Sequence, residues 1–466
     1  MSYYNASVFF WYNSLMRLSF FGGARSVTGA NYLLETKKTR ILVDCGLHQG
    51  SRYCEAHNFE AFLYDPKSID AVFITHAHID HIGRLPKLYR DGFRGAVFGT
   101  PPTKDFAELL LADSEHILRI EAERDHKPPL YNMNDIVELM KLWRKIPYRE
   151  RVVVGDLEAE FRDAGHILGS STVYIRGEGK TIAFSGDLGN TPASFINARE
   201  PLVAADYVIT EGTYGNRIHE NLEKRKDILE DAIEDAVRHR GVFLIPAFAL
   251  ERTQEMMYEL NELSENLRIP KVPIFVDSPL AIRLTGVYQK YSDDPAYFNR
   301  ESMGLIRKGD AIFDFPNLHL TLTTAQSKEI FNVPPPKVII AGSGMSNAGR
   351  ILFHEKLYLS NKHTTILFVG YQAKGSLGRQ ILDGAKEVTI LGETVSVNAR
   401  TKIIGGYSAH ADQPQILEWL GDARLSAKKI FVVQSEEEEA LPLAQKITDL
   451  LAVHAEVPMP GDTVEL

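Results

Sequence analysis

Short runs of apolar residues, or of apolar and polar residues in alternation, punctuate the first 210 residues, and glycine-containing turns separate them. Such runs predict strands at 18–21, 31–34, 40–43, 71–75, 151–154, 172–175 and 181–184. Apolar positions recurring every three or four residues predict helices over about 104–123 and 134–145. From about residue 212 the rhythm changes. Helical periods at 223–239 and 252–265, and one starting at Gln413, alternate with apolar runs at 241–246, 273–276, 337–341, 365–369 and 429–433. Strands alternating with helices imply a mostly parallel sheet covered by helices on both faces. The chain is therefore α/β, with two textures along its length.

Composition sets limits on this picture. With 466 residues, at least two domains, or one domain with a large insertion, are expected. Hydrophobic residues make up 44% and charged residues 24%, which excludes a mostly disordered or collagen-like chain. No apolar run approaches the roughly 18 residues of a membrane-spanning helix, so no membrane partner is expected. The formal charge of −9 supplies no global basic field, and a polyanion would have to be bound locally. Two cysteines, Cys45 and Cys54, are too few for a disulfide framework. Residues 1–15 are aromatic and carry no charged side chain, so they lack the basic start of a secretory signal. They read as an extension ahead of a domain starting at Met16, and a cytoplasmic location is expected.

The positions of the histidines carry the chemistry. The run 71–75 leads straight into His76-Ala-His78-Ile-Asp80-His81, four metal-ligand side chains within six residues. A loop at the end of a strand can aim successive side chains into one pocket, and imidazole nitrogens and carboxylate oxygens suit zinc. Further ligands stand at His166 in Asp163-Ala-Gly-His-Ile-Leu-Gly-Ser170 and at Asp187 in Phe184-Ser-Gly-Asp-Leu-Gly189. Alone, a Gly-His or Gly-Asp is ordinary turn chemistry. With the first cluster they form a set.

The order Asp44-Cys-Gly, His76-x-His-x-Asp-His81, Gly-His166, Gly-Asp187 resembles the metallo-β-lactamase superfamily. The resemblance implies a four-layer αββα sandwich with a zinc site at the sheet edge. It implies that His76, His78 and His166 hold one metal, Asp80 and His81 a second, and Asp187 bridges them, with Asp44 orienting a ligand histidine. Two later segments narrow the branch, Ile209-Thr-Glu-Gly-Thr-Tyr-Gly215 and Gly405-Gly-Tyr-Ser-Ala-His-Ala-Asp412. With the α/β stretch between them they resemble the β-CASP nucleases, in which an α/β cap interrupts the sandwich. The divisions implied are an extension at 1–15, a first sandwich part at 16–211, the cap at 212–400 and a closing sandwich part at 401–466. The closest likeness is to bacterial and archaeal relatives of the endonuclease subunit of the cleavage and polyadenylation machinery, through Phe21-Gly-Gly-Ala-Arg-Ser-Val-Thr-Gly29 and Gly342-Ser-Gly-Met345.

That resemblance implies a zinc-dependent ribonuclease with two ions, acting on single-stranded RNA in the cleft between the domains, and it suggests a homodimer. Glu211 would hold His410 protonated so that His410 donates a proton to the leaving oxygen, with Asp80 also placed among the catalytic residues. Ser343, Gly344, Met345, Ser346 and Arg350, in a Gly/Ser-rich turn before a helix, would meet the RNA backbone. Arg252, Lys374 and Arg379 are further basic residues in turns of the cap. One position departs from the pattern. The family's last motif places a histidine ligand of the second metal after a buried strand, where this chain has Gln434. A carboxamide is a poor zinc ligand, so weaker binding of the second ion is expected. Two other readings follow: an RNA-binding protein with weakened catalysis, and a metallo-hydrolase of DNA or a small ester.

Overall fold

Strands that are apolar on both faces must be covered on both sides, and this requirement organises the first half of the chain. The computed structural model describes residues 16–50, 52–219, 224–370, 372–373 and 375–466. The extension expected at 1–15 lies outside them. Two seven-stranded sheets stack face to face. The first runs in the order Thr463–Glu465, Arg17–Gly22, Asn31–Glu35, Arg40–Val43, Ala71–Phe73, Ala96–Gly99, Trp143–Lys145. The second runs Ala455–Glu456, Lys429–Val433, Tyr207–Glu211, Lys180–Phe184, Ser171–Gly177, Leu157–Asp163, Arg151–Val154.

Successive side chains on a strand point to opposite faces, which sorts the apolar residues into layers. Ile41, Val43, Phe73, Phe161, Ile182, Phe184, Phe431 and Val433 fill the space between the sheets. Their neighbours Leu42 and Val72 face outward, to the layer that includes Phe106 and Leu111 of the helix Pro101–Arg124. Ile430 and Val432 face the opposite way, to Ile416, Trp419, Leu443 and Ile447 on the helices Gln413–Gly421 and Glu437–Leu451. The result is the αββα sandwich. Its sheets are completed by the C-terminal segment, because Lys429–Val433 pairs with Tyr207–Glu211 and Thr463–Glu465 pairs with Arg17–Gly22. What lies between is therefore inserted into one sandwich.

The inserted part is built on a six-stranded sheet in which every pairing is parallel. The order is Leu318–Leu320, Ile274–Asp277, Lys337–Ala341, Val242–Pro246, Thr365–Phe368, Arg400–Ile403. Its last strand runs across the 400/401 division read from the sequence. Phe243, Ile245, Val276 and Ile340 join the apolar layer that also holds the sandwich helices, so cap and sandwich share a continuous core.

One expected helix is shorter than the pattern implies. The helix starts at Met133 with a capping box between Asn132 and Asp135 and ends at Lys141. Trp143–Lys145 is instead the edge strand of the first sheet, paired in parallel with Ala96–Gly99. Ile136, Leu139, Met140 and Trp143 continue at helical spacing, so periodicity does not mark the end. The Trp143 ring packs beside Gly99, which has no side chain to block it. No helix among the described residues is long and apolar enough to cross a membrane.

Candidate metal centre

The metal-ligand residues of the sequence sit at one edge of the sandwich, each just past the end of a strand. Ala71–Phe73 leads to His76 and His78, Leu157–Asp163 to His166, Lys180–Phe184 to Asp187, and Lys429–Val433 to Gln434, while Glu211 is the last residue of Tyr207–Glu211. The glycines before His166 and Asp187 are required by the backbone. Gly165 and Gly186 have φ of +65° and +57°, and a Cβ there would stand 2.3 Å from Arg199 N and 2.7 Å from Thr75 Cβ. These turns deliver the side chains inward.

His76, His78, His166 and Asp187 each bring one donor atom to within 4.8 Å of the others. His78 Nδ1 lies 3.1 Å from His76 Nε2 and 3.2 Å from His166 Nε2. Asp187 Oδ2 lies 3.4 Å from His76 Nε2 and 3.6 Å from His166 Nε2. Ligands at the corners of a tetrahedral zinc site, each about 2.0–2.1 Å from the ion, are about 3.4 Å apart. The donor set therefore fits such an ion. Burial, and then the neighbouring imidazoles, push His78 and His166 well below the ordinary histidine range, which keeps them neutral with lone pairs available. Burial opposes the charge on Asp187, but His81 and His76 outweigh it and hold the carboxylate ionised.

Asp44 accepts from Thr75 N at 2.8 Å and Thr75 Oγ1 at 2.7 Å, and its Oδ2 lies 2.8 Å from His81 Nδ1. This fixes His81 with Nδ1 protonated and Nε2 turned into the centre. There Nε2 lies 3.4 Å from Asp187 Oδ1, 3.8 Å from Asp80 Oδ2 and 2.9 Å from Gln434 Nε2.

Beside the four-residue set, His410 Nδ1 lies 3.1 Å from Glu211 Oε2 and 3.9 Å from Asp187 Oδ2. Glu211 is fully buried and takes Leu188 N–H on Oε1. Burial disfavours the charged imidazole, yet Glu211, with help from Asp187 and Asp80, raises His410 to about 9. His219, which no motif singles out, lies with Nε2 2.9 Å from the His410 carbonyl, and its own N–H donates to Asp412. The residues lining the adjoining pocket come from both domains, among them His166, Asn190 and Ser408 of the sandwich and Arg225, Glu251 and Glu255 of the cap.

Several of the residues expected to meet the RNA backbone have partners within the cap. Ser343 Oγ accepts from the N–H groups of Asn347 and Ala348 at 3.1 and 3.2 Å. The carbonyls of Gly344 and Met345 accept from Gln372 and Gly378, and Ser346 donates to the buried Glu355. Arg252 is buried and paired with Glu255. Arg379 is paired with Asp383, and Lys374 lies outside the described residues. Arg350 donates to Asp277 Oδ1 at 2.7 Å and to the carbonyls of Thr321 and Leu322.

Asp277 is fully buried and also binds Thr321, Ser327 and His354. Burial alone would raise its carboxyl, but these donors lower it to about 2. A carboxyl depressed on folding stabilises above its unfolded value, about 3.9, and that contribution is lost as pH falls through the folded one. The Asp277→Asn variant is expected to be less stable than wild type by on the order of 2 kcal/mol near neutral pH. In urea unfolding, the difference should shrink as pH falls from about 4 to about 2. A difference that does not change over that range would contradict this role.

Comparison with known proteins agrees with the geometry. Family models match at residues 27–93 (Metallo-beta-lactamase superfamily), 253–381 (Beta-Casp domain) and 394–458 (Zn-dependent metallo-hydrolase RNA specificity domain). The chain is 39% identical to Ribonuclease TTHA0252 of Thermus thermophilus, over 92% of this chain and 95% of that one. It is 31% identical to Transcription termination factor FttA of Methanosarcina mazei, over 97% of this chain and 72% of that one. A crystal structure of a protein of unknown function from Enterococcus faecalis V583 shares the fold, with a TM-score of 0.55, 12% identity and coverage of 97% of this chain and 100% of that one.

Proposed function

The chain belongs to the β-CASP ribonuclease family of the metallo-beta-lactamase superfamily and is a metal-dependent hydrolase; from that premise we propose that it hydrolyses phosphodiester bonds of single-stranded RNA. The observation that carries the reading is the His76, His78, His166 and Asp187 set standing beside the Glu211–His410 pair. Zinc held by those four would supply Lewis acidity toward both the attacking water and the phosphate oxygens.

The protein's own groups do the rest. Neutral His78 and His166 present lone pairs, and Asp187 balances part of the cation's charge. Glu211 keeps the Nδ1 proton of His410 in place and orients the ring. His410 is partly exposed, so it can reach a substrate oxygen, and it gives a proton to the leaving group. The pocket beside His166 is lined from both domains, so the four-residue set borders the seam between them.

A substrate panel tests the proposal. Zinc-loaded protein should cleave single-stranded RNA at least about tenfold faster than duplex RNA or single-stranded DNA. Preferential cleavage of DNA, or hydrolysis of a thioester or lactam without RNA cleavage, would overturn it.

A further inference from the structure

Gln434 stands where the resemblance places a histidine ligand of a second metal, and its contacts are those of a hydrogen-bond partner. His81 is held from both sides. Asp44 faces Nδ1 at 2.8 Å, and Gln434 Nε2 lies 2.9 Å from His81 Nε2. The Gln434 carboxamide thus stands at hydrogen-bond distance from the ring atom that His81 would turn to an ion.

Gln434 is held firmly in this position. Its backbone has φ of +47°, and its N–H donates to Gly23 O at 2.6 Å. The side chain is 3% exposed and packs against Gly23, where a Cβ would lie 2.3 Å from Oε1. Of the other residues expected at the second position, His81 Nε2 lies 3.4 Å from Asp187 Oδ1 and 3.8 Å from Asp80 Oδ2, but the three do not gather as the first set does. Among the described residues, the sets of three or more that gather donor atoms within 4.8 Å are His76/His78/His166/Asp187 and Asp187/Glu211/His410. Asp80, His81 and Asp187 do not form one.

We infer that this chain holds a single metal ion, in the His76, His78, His166 and Asp187 site, and that Gln434 bars the neighbouring position by engaging His81 Nε2. The inference rests on the reading of those four residues as a metal site. His81 then acts as a positioning residue, 3.4 Å from Asp187 Oδ1, rather than as a ligand.

The test is the zinc content of stripped protein re-equilibrated with zinc and measured by plasma mass spectrometry. Wild type should hold one ion per chain, Gln434→His two, and His78→Ala none. Titration calorimetry should place any second ion on wild type at least about 100-fold more weakly than on Gln434→His. Two tightly held ions on wild type would overturn the inference. So would a folded Gln434→His protein, checked by circular dichroism, that still holds one. If Gln434→His does not fold, the wild-type titration decides alone, and a second event as tight as the first overturns the inference. No ion on wild type would instead overturn the underlying reading of the four-residue site.

Discussion

Replacing Asp187 by alanine is expected to cost the protein its metal ion and at least about a thousandfold in RNA cleavage, about 4 kcal/mol of transition-state stabilisation. Asp187 reaches four histidines of the centre. One carboxylate oxygen lies 3.4 Å from His76 Nε2 and 3.6 Å from His166 Nε2, and the other 3.4 Å from His81 Nε2. The same group lies 3.9 Å from His410 Nδ1. It is also the one carboxylate in the four-residue set, so its loss leaves a dication among neutral imidazoles in a buried site. The Asp187→Asn variant separates charge from volume. It should keep the fold and still bind zinc far more weakly than wild type. The readouts are zinc per chain and kcat/KM on RNA, with thermal melts to confirm folding. A folded Asp187→Ala protein retaining more than a tenth of wild-type activity would contradict the assignment.

The second large effect belongs to the proton donor. The His410→Ala variant is expected to lose about 10²- to 10⁴-fold in kcat/KM on RNA. The acid must be protonated to act, so its active form is present below its pKa and lost as pH rises through about 9. Glu211 is the main group that raises it, against burial. The Glu211→Gln variant should therefore move the basic limb of the rate profile down toward the ordinary imidazole value of about 6.5. A bound cation lowers the limb in both proteins, and the displacement between them is the readout. A phosphodiester whose leaving group is a nitrophenolate needs no protonation. On it His410→Ala should recover most of its activity, whereas Asp187→Ala should not. Equal losses on both substrates would remove His410 from the role of acid.

Local motifs were legible because the chemistry lies close along the chain. His76, His78, Asp80 and His81 follow one strand, and the strand end that displays them can be read from its apolar run. Gly-His166 and Gly-Asp187 were legible as turns, and the positive φ of each glycine explains the residue type. Partnerships between distant residues were legible only through the resemblance, which pairs Glu211 with His410 and sets Gln434 among the residues of the second metal position. Nothing in the sequence near His219 says that it meets the His410 carbonyl. Arg350 reads as a free cation at the start of a helix until Asp277, on another strand, is seen to bind it. Nor does the sequence show that the Ser343 hydroxyl takes the N–H groups of Asn347 and Ala348. Helical spacing carried through Trp143 for a similar reason. Periodicity reports which side of an element is apolar, and here the same spacing served a helix and then a sheet edge.

The most direct test of the account is cleavage of an end-labelled single-stranded RNA by protein stripped of metal, before and after zinc is restored, with wild type and Asp187→Ala side by side. The account requires cleavage by wild type only with zinc and none above background from Asp187→Ala. Cleavage by the stripped protein, equal cleavage by the variant, or no cleavage by zinc-loaded wild type would contradict it.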